Sequence, residues 1–211
     1  MRANRIMKTA PTPHRETSHG TIFIISAPSG TGKTTLIDRI KASLPDLYFP
    51  VTMTTRPMRP GESNAVDYYF VDRADFRRHV AADELVEWAT VYGNLYGVPR
   101  WELEKPISEG RDVLFDIDTQ GRETLVARYA HSVSIFIAPP NLAALEERLR
   151  RRGLNDERDL TRRLAEAEIE MKRADRYDYI IVNDSLDDAF EELKTILLTE
   201  RARRRGRVER E

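Results

Sequence analysis

Nine consecutive residues, Ala27, Pro28, Ser29, Gly30, Thr31, Gly32, Lys33, Thr34 and Thr35, carry the chain's most explicit chemistry. They match the phosphate-loop pattern G-x-x-x-x-G-K-[ST], except that Ala27 stands at its first glycine. The apolar run Thr21 to Ile25 precedes them, and helical spacing follows from Lys33 to Leu44, stopped before Pro45. In that strand-to-helix context, successive backbone N–H groups and a helix N-terminus converge on a polyphosphate. Lys33 then reaches the β and γ phosphates, and the Thr34 hydroxyl meets Mg²⁺. Flexibility and close backbone approach are needed most near Gly30 and Gly32. A methyl at position 27 is tolerable provided that its φ is negative.

A second set of candidates lies further on. Arg56 and Arg59 stand three apart, with Tyr68, Glu87 and Tyr96 following. Two guanidinium forks and two phenol hydroxyls are donors that suit a phosphate monoester. Asp116 and Asp118 lie two apart at the end of an apolar run, which puts them on one face of a strand. His14, His19, His79 and His131 have no spacing that suggests a metal site.

These side chains need a scaffold, and the pattern supplies one. Four apolar, β-branched runs, TIFII, DVLFDID, SVSIFIA and YDYIIVND, read as buried strands of a parallel sheet. Helical segments alternate with them: Gln120 to Tyr129, Asn141 to about Arg152, Asp159 to about Ala174, and Leu186 to about Arg205, the last entered through Ser185 with Asp188 three residues on. The alternation predicts an α/β fold of three layers, of the P-loop NTPase kind, with ligands at the carboxyl ends of the strands. Two regions interrupt it. Residues 52–101 are rich in Arg, Tyr, Asp and Gly with short strand-like pieces, and read as an inserted subdomain. Residues 148–174 begin with an arginine-rich stretch broken by Gly153 and Asn155, and read as a mobile lid. The core is then 21–51, 102–147 and 175–200.

Composition narrows the function classes. With 40% hydrophobic and 33% charged residues and a net charge of -1, the chain lacks the bulk basicity of a nucleic-acid binder. Having no cysteine excludes disulfides and thiolate chemistry. No apolar run is long enough for a membrane span and no signal-peptide core is visible, so the cytoplasm is the expected location. Residues 1–20 read as a disordered extension, and the arginine-rich end, including the basic tail 206–211, as a solvated, fraying helix end.

Six stretches together carry a resemblance to a known family: SAPSGTGKTT, TTRPMRPGE with DYYFV, EWATVYGNLYG, DIDTQG, RLRRRG and YDYIIVND. In order and spacing, over about Thr21 to Leu198, the chain resembles the bacterial guanylate kinases, which phosphorylate GMP with ATP. The resemblance implies ATP and GMP as substrates and Mg²⁺ as the metal, with no nucleic-acid or membrane partner; a homo-oligomer is compatible with it. It implies that Glu87 accepts the N1–H and N2–H of guanine, with Asp118 taking the second amino hydrogen and Thr52 donating to O6. Arg56, Arg59, Tyr68 and Tyr96 would hold the GMP phosphate. Asp116 would serve Mg²⁺ through ligated water, a paired-carboxylate metal site at Asp116 and Asp118 being the competing reading. Arg148, Arg152 and Arg163 would close over ATP and the transferring phosphoryl group, while Arg150, Arg151 and Arg162 are solvated neighbours. Asn183 would contact adenine or, equally, belong to the turn capping the last helix.

Two positions depart from the family pattern. Thr52 replaces the usual Ser, and Val98 stands where Ser or Thr helps to bind guanine; the expectation is weaker GMP binding with guanine preference retained. Two rivals are weighed. A guanylate-kinase-like interaction module would have no use for Lys33 and the lid arginines, and a sugar-phosphate kinase would have none for Glu87 and Asp118.

Overall fold

The computed structural model describes residues 20–91, 93–151, 153 and 156–208. Residues 1–19 of the N-terminal extension, Arg152, Asn155 and the last three residues of the basic tail lie outside them. Four short runs that the pattern marks as strands pair in parallel: β1 (Ile22–Ser26), β6 (Val113–Asp116), β7 (Val133–Ala138) and β8 (Tyr179–Val182), in the order β6-β1-β7-β8. Tyr48 extends the β6 edge by one parallel bridge to Val113. β1 and β7 are apolar because both of their faces are covered, whereas the edge strand β8 leaves Ile180 and Val182 exposed. Helices α1 (Lys33–Ser43) and α7 (Leu186–Val208) pack Leu36, Ile37, Ile40, Phe190 and Leu193 on Phe23, Ile25 and Ile135. On the other face, α3 (Trp101–Ser108) and α4 (Thr119–Arg128) set Leu103 and Leu125 on Ile24 and Phe115. The three layers expected from the alternation are these.

The region 52–101 forms its own four-stranded sheet, in the order β3-β2-β5-β4. Its strands are β2 (Met53–Thr54), β3 (Tyr69–Phe70), β4 (Leu85–Val91) and β5 (Asn94–Pro99). It also contains a helix that the strand-like reading of this region leaves out, α2 (Arg73–Ala81), whose Phe76 packs on Met53, Leu85 and Leu95. Only one apolar side of α2 meets the sheet, so its sequence is mostly polar. Asp72 caps it by accepting from the Asp75 N–H at 2.8 Å.

Helices α5 (Leu142–Arg151) and α6 (Glu157–Met171) pair through a small apolar cluster of their own, Leu145, Leu149, Leu160 and Ala167. Helix α6 starts two residues before Asp159 and stops at Met171; a 3₁₀ turn, Ala174–Arg176, carries the chain on to β8. Ser185 precedes α7 and accepts from the Asp188 N–H at 3.4 Å.

Candidate active site

The phosphate loop joins the carboxyl end of β1 to the N-terminus of α1. Gly30 and Gly32 adopt φ of 94° and 95°, which L side chains rarely enter. Space enforces the same choice: a Cβ on Gly30 would sit 2.7 Å from Leu149 Cδ2, and one on Gly32 2.6 Å from Asn183 Nδ2. Ala27 is absent from the positive-φ residues, so its methyl meets the condition set by the sequence, and it packs against the core. Asn183, 3% exposed, donates to the Thr31 carbonyl at 2.6 Å, and Arg148 donates to the same oxygen at 3.4 Å. Pro28 accepts from both the N–H and the hydroxyl of Thr31. The side chain of Asn183 thus braces the loop. Lys33 pairs with Asp116 at the end of the neighbouring strand β6. Thr34 and Thr35 follow on the exposed first turn of α1.

The second sheet brings Thr52, Val98 and Tyr68 near Asp116, and register decides which side chains that face carries. In β4, Leu85 pairs with Pro99 but Glu87 pairs with Val98, so one extra residue, Val86, is bulged out between them. With strict alternation Leu85 and Glu87 would share a face. The bulge sends Leu85 to the α2 side and Glu87 to the other, a common use of bulges beside functional sites. Glu87 therefore shares its face with Val98 and Tyr96, and Thr54 and Phe70 join them across the strands. Tyr68 stands with its ring 6.2 Å from that of Tyr96. Arg56 lies 5.2 Å over the Tyr68 ring, held by Glu62 through a two-pronged contact at 2.7 and 3.0 Å. Glu62 also accepts from the Arg59 N–H at 2.8 Å, while Arg59 itself is exposed. Thr52 and Val98 line a cavity of ≈ 80 Å³ that reaches Asp116.

Glu87 is 4% exposed, and burial pushes its carboxyl up to about 8. That value includes the charge of Asp118, which adds to the rise, and the Val98 N–H, which opposes it. Asp118 does not sit on a strand with Asp116 as the spacing predicts. Strand β6 ends at Asp116, and Asp118 is the N-cap of α4, accepting from the Gly121 N–H at 2.7 Å. An Asp that is followed by a helix start prefers the cap, because its short side chain satisfies an otherwise orphan donor. A Cβ on Gly121 would come within 2.7 Å of Glu87 Oε2, so the missing side chain lets the helix end approach that carboxylate.

The lid helices add cations. Arg163 donates to the Ser29 hydroxyl at 2.9 Å and to Asp159 at 2.8 Å. Arg148 reaches the Asp184 carbonyl as well as Thr31. Arg150, Arg151 and Arg162 are exposed and pair with Glu146, Glu147 and Glu166 of their own helices. Among the described residues no cluster of three or more acidic or histidine side chains could hold a metal ion. A model of the family described as "Guanylate kinase" matches residues 19–200. The chain belongs to the guanylate kinase family.

Individual relatives agree. The guanylate kinase of Rhodopseudomonas palustris is 47% identical over 190 residues, covering 90% of this chain and 86% of the relative. That of Zymomonas mobilis is 43% identical, with coverage of 90% and 88%. The crystal structure of guanylate kinase from Anaplasma phagocytophilum superposes with a TM-score of 0.70 at 36% identity, over 88% of each chain. The α/β fold with a parallel sheet is thus that of a guanylate kinase.

Three polar residues of this guanylate kinase family member escape the sequence reading. Glu62 lies in a quoted stretch but gets no role there; it fixes the fork of Arg56, and its distance of six residues gave no periodic cue. Glu170, on the same side of α6 as Arg163 two turns earlier, is held up to about 7 mainly by burial, against the pull of Lys33. Glu102 is buried at the base of the second sheet.

Proposed function

We propose that the chain transfers the γ-phosphate of ATP to GMP, giving ADP and GDP. The observation that carries the reading is the single sheet face holding Glu87, Tyr96 and Tyr68 with Arg56, within electrostatic reach of Asp116 and Asp118, the first of which pairs with Lys33 of the phosphate loop. Guanine offers N1–H and N2–H side by side, and a carboxylate accepts both in parallel. Adenine has no N1–H and would set a lone pair against Glu87. Asp118, next to Glu87 electrostatically, is within the same corner for the second amino hydrogen. Arg56, Arg59, Tyr68 and Tyr96 then hold the monophosphate, and Thr52 donates to O6. We assign residues 52–101 to the GMP side, 148–174 to the lid and the remainder of 21–200 to the ATP-binding core, in the cytoplasm. No helix among the described residues is long and apolar enough to cross a membrane.

In this reading the loop N–H groups and Lys33 bind the β and γ phosphates, and Asn183 keeps the loop in shape while lying beside the adenine side. Arg148, Arg163 and Arg152, the last outside the described residues, meet charge on the equatorial oxygens. The donor set fits Mg²⁺: the Thr34 hydroxyl and, through water, Asp116 are hard oxygen ligands, too few for an all-protein cage and suited to an ion that arrives with the triphosphate. Bound there, Mg²⁺ neutralises phosphate charge. No general base is required, because the GMP phosphate, with a second pKa of about 6, is already ionised at pH 7.

A coupled ADP-release assay with ATP and Mg²⁺ tests the reading against GMP, dGMP, AMP, UMP and ribose phosphate. GMP-dependent release is expected. Release that ignores GMP, or that prefers ribose phosphate, overturns it.

A further inference from the structure

We propose that Glu102 is a positioning residue that fixes the pose of the acceptor sheet relative to the phosphate loop. The inference rests on the GMP-kinase reading above. The chain leaves the parallel sheet through Val51 and returns through Arg100 and Trp101, so two crossings alone connect the second sheet to the core in sequence. The Glu102 carboxylate, 5% exposed, gathers both. Its Oε2 accepts from the Tyr48 hydroxyl at 2.6 Å and the Val51 N–H at 2.9 Å; its Oε1 accepts from the Tyr69 hydroxyl at 2.8 Å.

Each donor belongs to a different body. Tyr48 is stitched into the edge of the parallel sheet, its N–H donating to the Asp112 carbonyl and its own carbonyl accepting from Leu114, both at 2.8 Å. Val51 is the outgoing crossing. Tyr69 is part of β3, paired with Met53, and Glu102 itself rides on α3 at the end of the returning crossing. The ring of Trp101 stands edge-on to both Tyr69 and His79, 6.0 Å from each, on the same junction. Strands β2 and β3 contain two residues each, so their ladder is weak and the Tyr69 bond is a large share of what orients that edge. The phosphate loop contains none of the three donors to Glu102. Its loss therefore leaves ATP binding alone and reduces the fraction of molecules whose acceptor face is aligned; apparent GMP affinity falls by that fraction.

Both consequences are measurable in the full chain. Glu102→Gln replaces one acceptor oxygen by an amide that cannot accept, and Tyr69→Phe removes one hydroxyl while keeping its ring against Trp101. Since the chain has no cysteine, spin labels at Asp38→Cys on α1 and Ala74→Cys on α2 report the distance between the two bodies cleanly. The expected result is a broadened distance distribution in either variant, GMP KM raised about 10-fold, and ATP KM within about 2-fold. The double variant is expected to match Glu102→Gln alone. Should Glu102→Gln fail to fold, Tyr69→Phe decides. An unchanged distribution, or a lowered melting temperature with GMP KM unmoved, overturns the inference. A wild type that releases no ADP with GMP overturns the proposed function instead, and the distance distributions still decide the role of Glu102.

Discussion

In the proposed reading the phosphate loop and the acceptor face solve two recognition problems by different means. The loop is built from main chain: two left-handed glycines, a strand end and a helix start, braced from behind by Asn183, Arg148 and Leu149. In the proposed reading most of its ligating groups are backbone N–H, which no substitution at Ala27 other than proline removes. The acceptor face is built from side chains on a small sheet that act on one another before any ligand arrives: Glu62 grips Arg56, and burial together with the repulsion of Asp118 raises the carboxyl of Glu87. Backbone recognition of phosphate is general and locally encoded. Side-chain recognition of a base is specific, and depends on register, a bulge and a junction that lie far apart in sequence.

The sharpest way to break this contrast is to cut the loop's own cationic side chain. Lys33→Ala should lower kcat by about 10²- to 10³-fold, the usual cost of removing one preorganised donor from a transition-state site. GMP binding, measured by calorimetry, should stay within about 2-fold. A comparable loss of GMP binding would mean that the two regions are not separable.

Titration of Glu87 sharpens the contrast from the other side. Burial keeps a proton on it below about pH 8, whereas in the proposed reading the guanine N–H pair needs the carboxylate. GMP affinity should therefore rise by up to about 10-fold per pH unit between 6.5 and 8, and ATP affinity should not follow. Stability runs in the opposite direction. The folded state raises this carboxyl above its ordinary 4.5, so its contribution is complete below about pH 4.5 and is lost as pH climbs towards 8. Melting curves of wild type and Glu87→Gln, compared across that window, should converge at low pH and separate at high pH. Glu87→Gln should be the less pH-sensitive of the two.

The smallest effect concerns Val98, which is buried beside Glu87 and lines the cavity with Thr52. Val98→Ser should tighten GMP binding by about 2- to 10-fold, the worth of one neutral hydrogen bond. No gain would show that the position does not face the base.

The same division explains what could be read from the chain alone. All four core strands and the loop were legible, because each is a contiguous pattern whose neighbours in sequence are its neighbours in space. The acidic residues near the acceptor were not all placed correctly. Asp118 looked like part of a strand because DVLFDID is apolar enough to continue, yet the following T-Q-G gives it a helix to cap. Helix α2 was hidden by its polarity, although Asp72 with Asp75 three residues on is a recognisable start. The bulge at Val86 left no trace in ELVEWATV, where a plain alternation is equally good; register is decided by Pro99 and Val98 on the partner strand. Glu102 joins residues 33 to 54 positions away, a relation that no local pattern can show.

The central claim is that a carboxylate on the acceptor face chooses the base. The ratio of kcat/KM for GMP to that for AMP tests it most directly. A site that leaves buried groups unpaired with the wrong base should favour GMP by about 10⁴-fold, and Glu87→Gln should erase most of that preference. AMP used as readily as GMP by the wild type, or a ratio untouched by Glu87→Gln, would contradict it.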